Sequence, residues 1–285
     1  MENKIDAVII EHSSFNGNEL ISIETYAPKF LDAEIEKHRM ISSNSSSDRA
    51  IPIERMIEAD YFIPDDVRLN QSGMQGEEKA AKYEREELVN LFEGIREKSC
   101  QVMVDLKHIH KQHLNRLLLP FSYQKKIMTA NKEQWDYFLS LRLHKAADPA
   151  IYQLAYKIND AIEKSFPVEL ESEDWHLPYI RNEERFEYSV ENLCKMSSAR
   201  CARTSYNNHD GTIAKLEDDL KLFGFLINEE LPHATPTEHQ AKPMVDIDLE
   251  SDGISHMTSR GEMMSGNFSN FIQFRKILED NNWRL

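Results

Sequence analysis

Cysteine is scarce. Three occur in 285 residues (Cys100, Cys194 and Cys201), an odd set without metal-ligand spacing. That argues against a disulfide framework and a cysteine zinc site, and it points to a reducing cytoplasm. Glycine is sparse as well, and none of the nine falls in a Gly-x-Gly-x-x-Gly fingerprint, which disfavours a Rossmann-type dinucleotide site. No run approaches the ~20 apolar residues of a membrane span. The opening segment, MENKIDAVII, lacks the basic region and apolar core of a secretory signal. Positive charge is also in deficit, with 34 basic against 49 acidic residues and a net charge of -15. Such a surface repels nucleic acid, because phosphate contacts dominate that affinity. A small anionic ligand would need a local basic pocket.

What is present reads as a helix-rich α/β or α+β chain. Its 40% hydrophobic content and mean hydropathy of -0.59 are those of a globular protein. At 33.3 kDa it is one elaborate domain or two small ones. Ala7–Ile10 and Leu20–Thr25 flank Asn16-Gly17, which predicts a hairpin. Leu88, Phe92, Ile95, Val102, Leu106, Ile109 and Leu117 recur at helical spacing and predict one long helix with an apolar stripe. Further helices are expected over 133–146, from the Asp148-Pro149 start to Phe166, and over 212–227 with Ile213, Leu216, Leu220 and Phe223 on one face. The polar stretch 242–266 reads as a loop. His108, His110 and His113 have no carboxylate at helical ligand spacing and read as surface or core histidines, so no metal is expected.

Three segments stand out. Lys37-His38-Arg39-Met40-Ile41-Ser42-Ser43-Asn44-Ser45-Ser46-Ser47-Asp48-Arg49 is either a solvated serine linker or a cradle of hydroxyls and cations for a phosphate. Asn115-Arg116-Leu117-Leu118-Leu119-Pro120 is followed by Thr129-Ala130-Asn131 and Leu141-Arg142; arginines there are either snorkelling surface residues or ligands. Ala202-Arg203-Thr204-Ser205-Tyr206 precedes His233-Ala234-Thr235-Pro236-Thr237-Glu238-His239, where Pro236 breaks any helical metal motif.

Together these segments resemble the flavin-dependent thymidylate synthase family, whose signature reads R-H-R-x-x-S-x-N-E-x-S-x-R. His38, Arg39, Ser42, Asn44, Ser47 and Arg49 match it. Pro28 to Glu36 resembles the family's strand leading into that motif, and 233–239 resembles its H-x-[ST]-P-x-E-H element. In most members the Ser-Tyr and H-x-[ST]-P-x-E-H elements come first; here they follow. The order resembles that of a circularly permuted member, a form associated with phage and some bacterial sequences. It implies one catalytic domain over 1–285, with the nucleotide motif and long helices in 1–170 and the permuted elements in 190–285.

The resemblance implies a mostly antiparallel sheet packed by long helices. It implies FAD-dependent methylation of dUMP at C5 to dTMP, with methylenetetrahydrofolate and NADPH as co-substrates. Arg142 and Ser47 would lie at the chemistry. Ser47, Arg49, Arg116 and Arg142 would bind the nucleotide. Lys37, His38, Arg39, Asn44, Asn131, Ser205, His233 and Thr235 would bind FAD. A homotetramer with shared sites, in the cytoplasm (a host's, if phage-encoded), completes the expectation, with neither nucleic acid nor membrane as partner. Three positions depart from the family pattern: Lys37 for its first arginine, Ser45 for a glutamate and Glu34 for a glutamine. They keep two alternatives open, a different C5 modification such as hydroxymethylation, and a non-catalytic nucleotide-binding subunit. Cys201 reads as a packing residue rather than a nucleophile.

Overall fold

A computed structural model describes residues 4–72, 76–204, 212–227, 232–247 and 250–283. Strands β1 (Asp6–Phe15) and β2 (Asn18–Pro28) form the expected hairpin, with Asn16 and Gly17 both at positive φ (49° and 78°) in its two-residue turn. A helical turn at Lys29–Leu31 and α1 (Asp32–Ile35) follow, so the expected strand up to Glu36 is instead helical. The reason is a buried cation. Lys126, 3% exposed, takes Asp32 at 3.0 Å and Glu36 at 2.5 Å, and a helical turn presents both carboxylates to it.

The chain continues through β3 (Ser42–Ser45), α2 (Ile53–Glu58) and α3 (Lys82–Asp105). The helix expected to reach Leu117 therefore stops at Asp105, and a short α4 (Lys111–Leu114) runs into a 3-10 turn at Asn115–Leu118. Its apolar stripe faces the core only in part: Phe92 lies edge-on to Phe121, ring centroids 4.6 Å apart. Leu88, Ile95, Leu106, Ile109 and Leu117 are exposed, and Met103 is the buried residue of α3.

Next come β4 (Tyr123–Asn131), α5 (Lys132–Arg142) and α6 (Pro149–Glu163). Asp148 caps α6 as expected, accepting from the Ala150 and Ile151 amides with proline at the first turn. After β5 (Val168–Glu169) the chain forms α7 (Asn182–Glu187), α8 (Val190–Arg203) and α9 (Leu216–Leu226). The last is shorter than expected, and Ile213 lies outside it, exposed. A 3-10 turn at Thr235–Glu238 leads to β6 (Ala241–Pro243). The expected loop 242–266 also holds β7 (His256–Met257) and β8 (Met263–Ser265), followed by β9 (Phe268–Ser269), β10 (Phe271–Gln273) and α10 (Phe274–Asp280).

The main sheet has the order β3-β4-β2-β1-β5, antiparallel except for the β1–β5 pair. Strand period two divides its faces. Ile21, Ile23, Met128 and Ala130 meet Trp135, Phe138, Ile151, Leu154 and Ile158 of α5 and α6 in an apolar layer. The alternate residues Ser22, Glu24, Ile127 and Thr129 face α8, the segment before it and the end of the 235–238 turn, through Cys201, Tyr179, His176 and His239. A bulge between Ile9 and Glu11 lets Ile10 join that second layer and lets Glu11 meet Arg185 at 2.9 Å. The fold is thus mixed α/β with a mostly antiparallel sheet. Among the described residues no helix is long and apolar enough to cross a membrane.

Candidate functional site

The segment joining α1 to β3 is held from both ends. Glu36 accepts from Ser43 Oγ (2.9 Å) as well as from Lys126. His38 is buried and lies edge-on to Phe138, ring centroids 4.8 Å apart. Its Nε2 accepts from Arg142 Nε at 3.1 Å, which makes it a neutral ring carrying its proton on Nδ1. Burial, and then the Arg142 charge, lower its pKa and hold it in that state. Arg142 also donates from Nη1 to Glu34 Oε2 (2.8 Å) and from Nη2 to the Glu34 carbonyl (3.3 Å). Helix α5 thus delivers Arg142 from its last turn to α1. The arginine, Glu34 and Lys37 line one cleft of about 480 Å³, opposite Asp66, Arg68 and Gly76.

A second cluster forms around the turn after β3. Asn115 is fully buried, and its Nδ2 donates to the Asp48 carbonyl (2.8 Å) and the Ile51 carbonyl (3.0 Å). That ties Ser47 and Arg49 to the turn carrying Arg116. All three side chains are exposed, and none has an ion-pair or hydrogen-bond partner among the described residues. The neighbouring Asp48 is taken by Lys29.

The other expected site residues divide. Asn44 Nδ2 donates to the Cys201 carbonyl at 2.9 Å, joining β3 to α8. Thr235, half-buried, and His233, exposed, belong to the segment whose 3-10 turn packs on β3. Lys37 and Arg39 are exposed without partners among the described residues. Asn131 is occupied otherwise: it donates to the Ser269 carbonyl (2.9 Å) and accepts from the Ser269 amide (3.0 Å). Ser205 lies outside the described residues. Cys201 is fully buried, and burial pushes its thiol far above the ordinary cysteine range, as it does for Cys194. Neither is a nucleophile in this state. Among the described residues no group of His, Cys, Asp and Glu could hold a metal.

Not every depression suits an anion. A cleft of about 650 Å³ beside Asn131 is walled by Glu19, Glu133, Asp136 and Glu262 with only Lys132 opposing them. The smaller Arg142 cleft has less uncommitted negative charge, since Asp66 is held by Arg68 and Asp148 by the α6 cap.

Residues absent from the sequence expectation lie behind the site. His176, fully buried, sits 2.9 Å from Ser13 Oγ and 2.8 Å from Ser22 Oγ. Ser22 is 2.6 Å from Thr129 Oγ1, which is 2.9 Å from His239 Nδ1. Their partners are more than a hundred positions away, so no local pattern announces them, although His239 closes a recognised element. Burial lowers His239 to about 3 and His176 well below its ordinary value. Buried neutral histidines stabilise fully above pH ~6.5 and lose that contribution as pH falls toward the folded value. Glu11, raised by burial to about 7, acts oppositely: its contribution is complete below about 4.5 and lost as pH rises through 7. His176 and His239 outweigh one carboxyl, and His38, also lowered, adds in the same direction. Between pH 6.5 and 4.5 stability should therefore fall by at least about 1.4 kcal/mol per unit of acidification. Urea midpoints across that range check this; a flat profile would contradict the buried neutral pair.

Grouped hydroxyls and cations without partners among the described residues lie on a mixed sheet in an otherwise acidic chain. A family model described as thymidylate synthase complementing protein matches residues 7–168, more than half of the chain. The chain belongs to this family, the flavin-dependent thymidylate synthases, and is a thymidylate synthase-like enzyme. The 233–239 element lies beyond the matched residues. No curated protein matches the sequence. Structures of a UMP/dUMP methylase PolB from Streptomyces cacaoi, bound with 5-Br UMP and with 5-Br dUMP, are similar at TM-score 0.49. They share 18% and 17% identity with it, over 57% of this chain and 90% and 91% of theirs.

Proposed function

We propose that the protein transfers a one-carbon unit to C5 of dUMP, forming dTMP, with FAD, NADPH and methylenetetrahydrofolate. The carrying observation is the uncommitted group of Ser47, Arg49 and Arg116. In a chain with 15 more acidic than basic residues, cations left without carboxylates form a built anion site. They hold the nucleotide phosphate, and Ser47 orients the sugar beside the reacting ring. Arg142 then meets a carbonyl of the base, where its charge stabilises the negative charge that develops as C5 becomes nucleophilic.

Lys37, Arg39 and His233 fit the diphosphate of FAD, because they are exposed donors without partners among the described residues. Asn44 on β3 and Thr235 in the turn packed against that strand would join them, and Ser205 belongs to the same set by resemblance. His38 and Asn131 would act from behind, the one through Arg142 and the other through Ser269. FAD, when bound and reduced by NADPH, would supply the hydride that completes the methyl group.

A single catalytic unit over 1–285 in permuted order belongs to this reading. The packing of the 235–238 turn and α8 on β3 supports it, since the late elements lie beside the early motif. So does a homotetramer with shared sites: α3 leaves Leu88, Leu91 and Ile95 exposed on one helical face at 40%, 60% and 59%. The cytoplasm is the proposed location, in keeping with its unpaired cysteines.

The test joins binding to product. FAD and dUMP should each raise the melting temperature, by about 2.7 kcal/mol of stabilisation at a hundred times the dissociation constant. Mass spectrometry should then find dTMP when both co-substrates are supplied. A hydroxymethyl product would replace the reaction assigned; no binding of either ligand would end the reading. Cys201→Ala should keep most activity, because the buried thiol takes no part. Loss beyond about a thousandfold in a folded variant would show covalent catalysis instead.

A further inference from the structure

We propose that Glu34 is the residue that selects the base: its carboxylate accepts the N3–H of a uracil ring while Arg142 donates to the adjoining carbonyl. This rests on the nucleotide reading above and names the residue that makes it specific for uracil.

Three of the five Arg142 N–H groups are committed to Glu34 Oε2, the Glu34 carbonyl and His38 Nε2. One N–H on each terminal nitrogen has no partner among the described residues. Glu34 is likewise half used. Oε2 takes Arg142, its side chain is 31% exposed, and Oε1 has no partner among the described residues. Both residues line the same cleft. Its wall therefore offers a donor and an acceptor side by side. Neither can reverse, since a guanidinium only donates and an ionised carboxylate only accepts.

That order matches one pyrimidine better than the other. Uracil carries an N3–H donor between two carbonyl acceptors, so a carbonyl can meet Arg142 while N3–H meets Glu34. Cytosine has a bare lone pair at N3. With its carbonyl on Arg142, that lone pair confronts the carboxylate. Cytosine could regain complementarity by sliding one position, placing N3 on Arg142 and its amino group on Glu34. A phosphate held at Ser47, Arg49 and Arg116, as proposed above, would oppose the slide, because a ring tied through its sugar cannot shift while both ends stay engaged. A glutamine at position 34 could turn its amide to serve either ring. The carboxylate cannot.

The experiment is calorimetric titration of the full chain, with FAD supplied, using dUMP, dCMP and N3-methyl-dUMP. The wild-type protein should bind dUMP at least about a hundredfold more tightly than either analogue, since a site built around an N–H rejects rings that lack it. E34Q should bring dUMP and dCMP to within about tenfold of each other. E34A should weaken dUMP and also narrow the gap; if it does not fold, the near-isosteric E34Q carries the test. Equal binding of dUMP and dCMP by wild type, or an unchanged ratio in E34Q, would overturn the role of Glu34 and leave the nucleotide reading standing. Failure of all three ligands to bind would remove that reading, and this inference with it.

Discussion

Arg142→Ala should lower turnover about a hundred- to a thousandfold, because it removes a preorganised donor from the place where charge develops. The loss should fall more heavily on kcat than on the Michaelis constant for the nucleotide, since the hydrogen bond to the resting carbonyl strengthens as the ring is activated. Arg49→Ala provides the contrast. Its proposed partner, a phosphate, carries the same charge in ground and transition states, so that variant should bind nucleotide weakly and turn it over normally once saturated. Steady-state kinetics with tritium release from C5 of labelled dUMP reads both. An Arg142 variant with unchanged kcat and a raised Michaelis constant would make this arginine a binding residue. The geometry adds a control, because the alanine variant also strips His38 Nε2 of its donor and Glu34 of its counter-ion. Arg142→Lys keeps a charge but not the fork that reaches both partners, so it should recover only part of the loss.

The largest effect on stability is expected at Arg200, 1% exposed within α8. Its guanidinium reaches Glu184 of α7 at 2.7 Å through two nitrogens, Asp219 of α9 at 2.9 Å and the Tyr179 carbonyl at 2.9 Å. Arg203 joins on Asp219. Three helices thus converge on one charge. Burial alone would raise the Glu184 carboxyl, but hydrogen bonds from Arg200 and Arg181 outweigh it and bring the group down to about 2. Arg200→Ala should cost about 3–5 kcal/mol, mostly because two buried carboxylates lose their shared counter-charge and keep only Arg181 and Arg203. Chemical denaturation at pH 7 measures it. The Glu184 contribution is complete above about pH 4.5 and is lost as pH falls through 2, so the wild-type advantage should shrink in that acid range. A difference below about 1 kcal/mol at pH 7 would mean that water reaches these carboxylates.

Features encoded by neighbouring residues were legible in the sequence. Asn16-Gly17 specifies its turn through backbone angles that few other pairs tolerate, and Asp148-Pro149 specifies a helix start through an oxygen acceptor and a preset φ. The stripe on α3 was legible as a helix but not as a length or a partner. Periodicity reports that a face is apolar without saying what covers it, and here nothing among the described residues covers Leu88, Leu91 or Ile95. The strand expected before Lys37 failed because Lys126, ninety positions away, takes the carboxylates of Asp32 and Glu36. The motif cations were visible by resemblance. Which of them stay uncommitted, and that Glu34 stands against Arg142, are facts of packing.

The buried row from Ser13 to His239 has a direction. Neutral histidines carry one ring proton each, and Ser22 and Thr129 each have one to give. If both hydroxyl protons are used inside the row, only two arrangements satisfy every link, one the reverse of the other. Nothing between them is complete. The tautomer of His239, beside the 235–238 turn, is therefore tied to that of His176 and to the hydroxyl of Ser13 on the far strand. A change at Ser13 should be heard at His239: in Ser13→Ala, the ¹⁵N shifts of both imidazoles should move together, as one message passed through four hydrogen bonds.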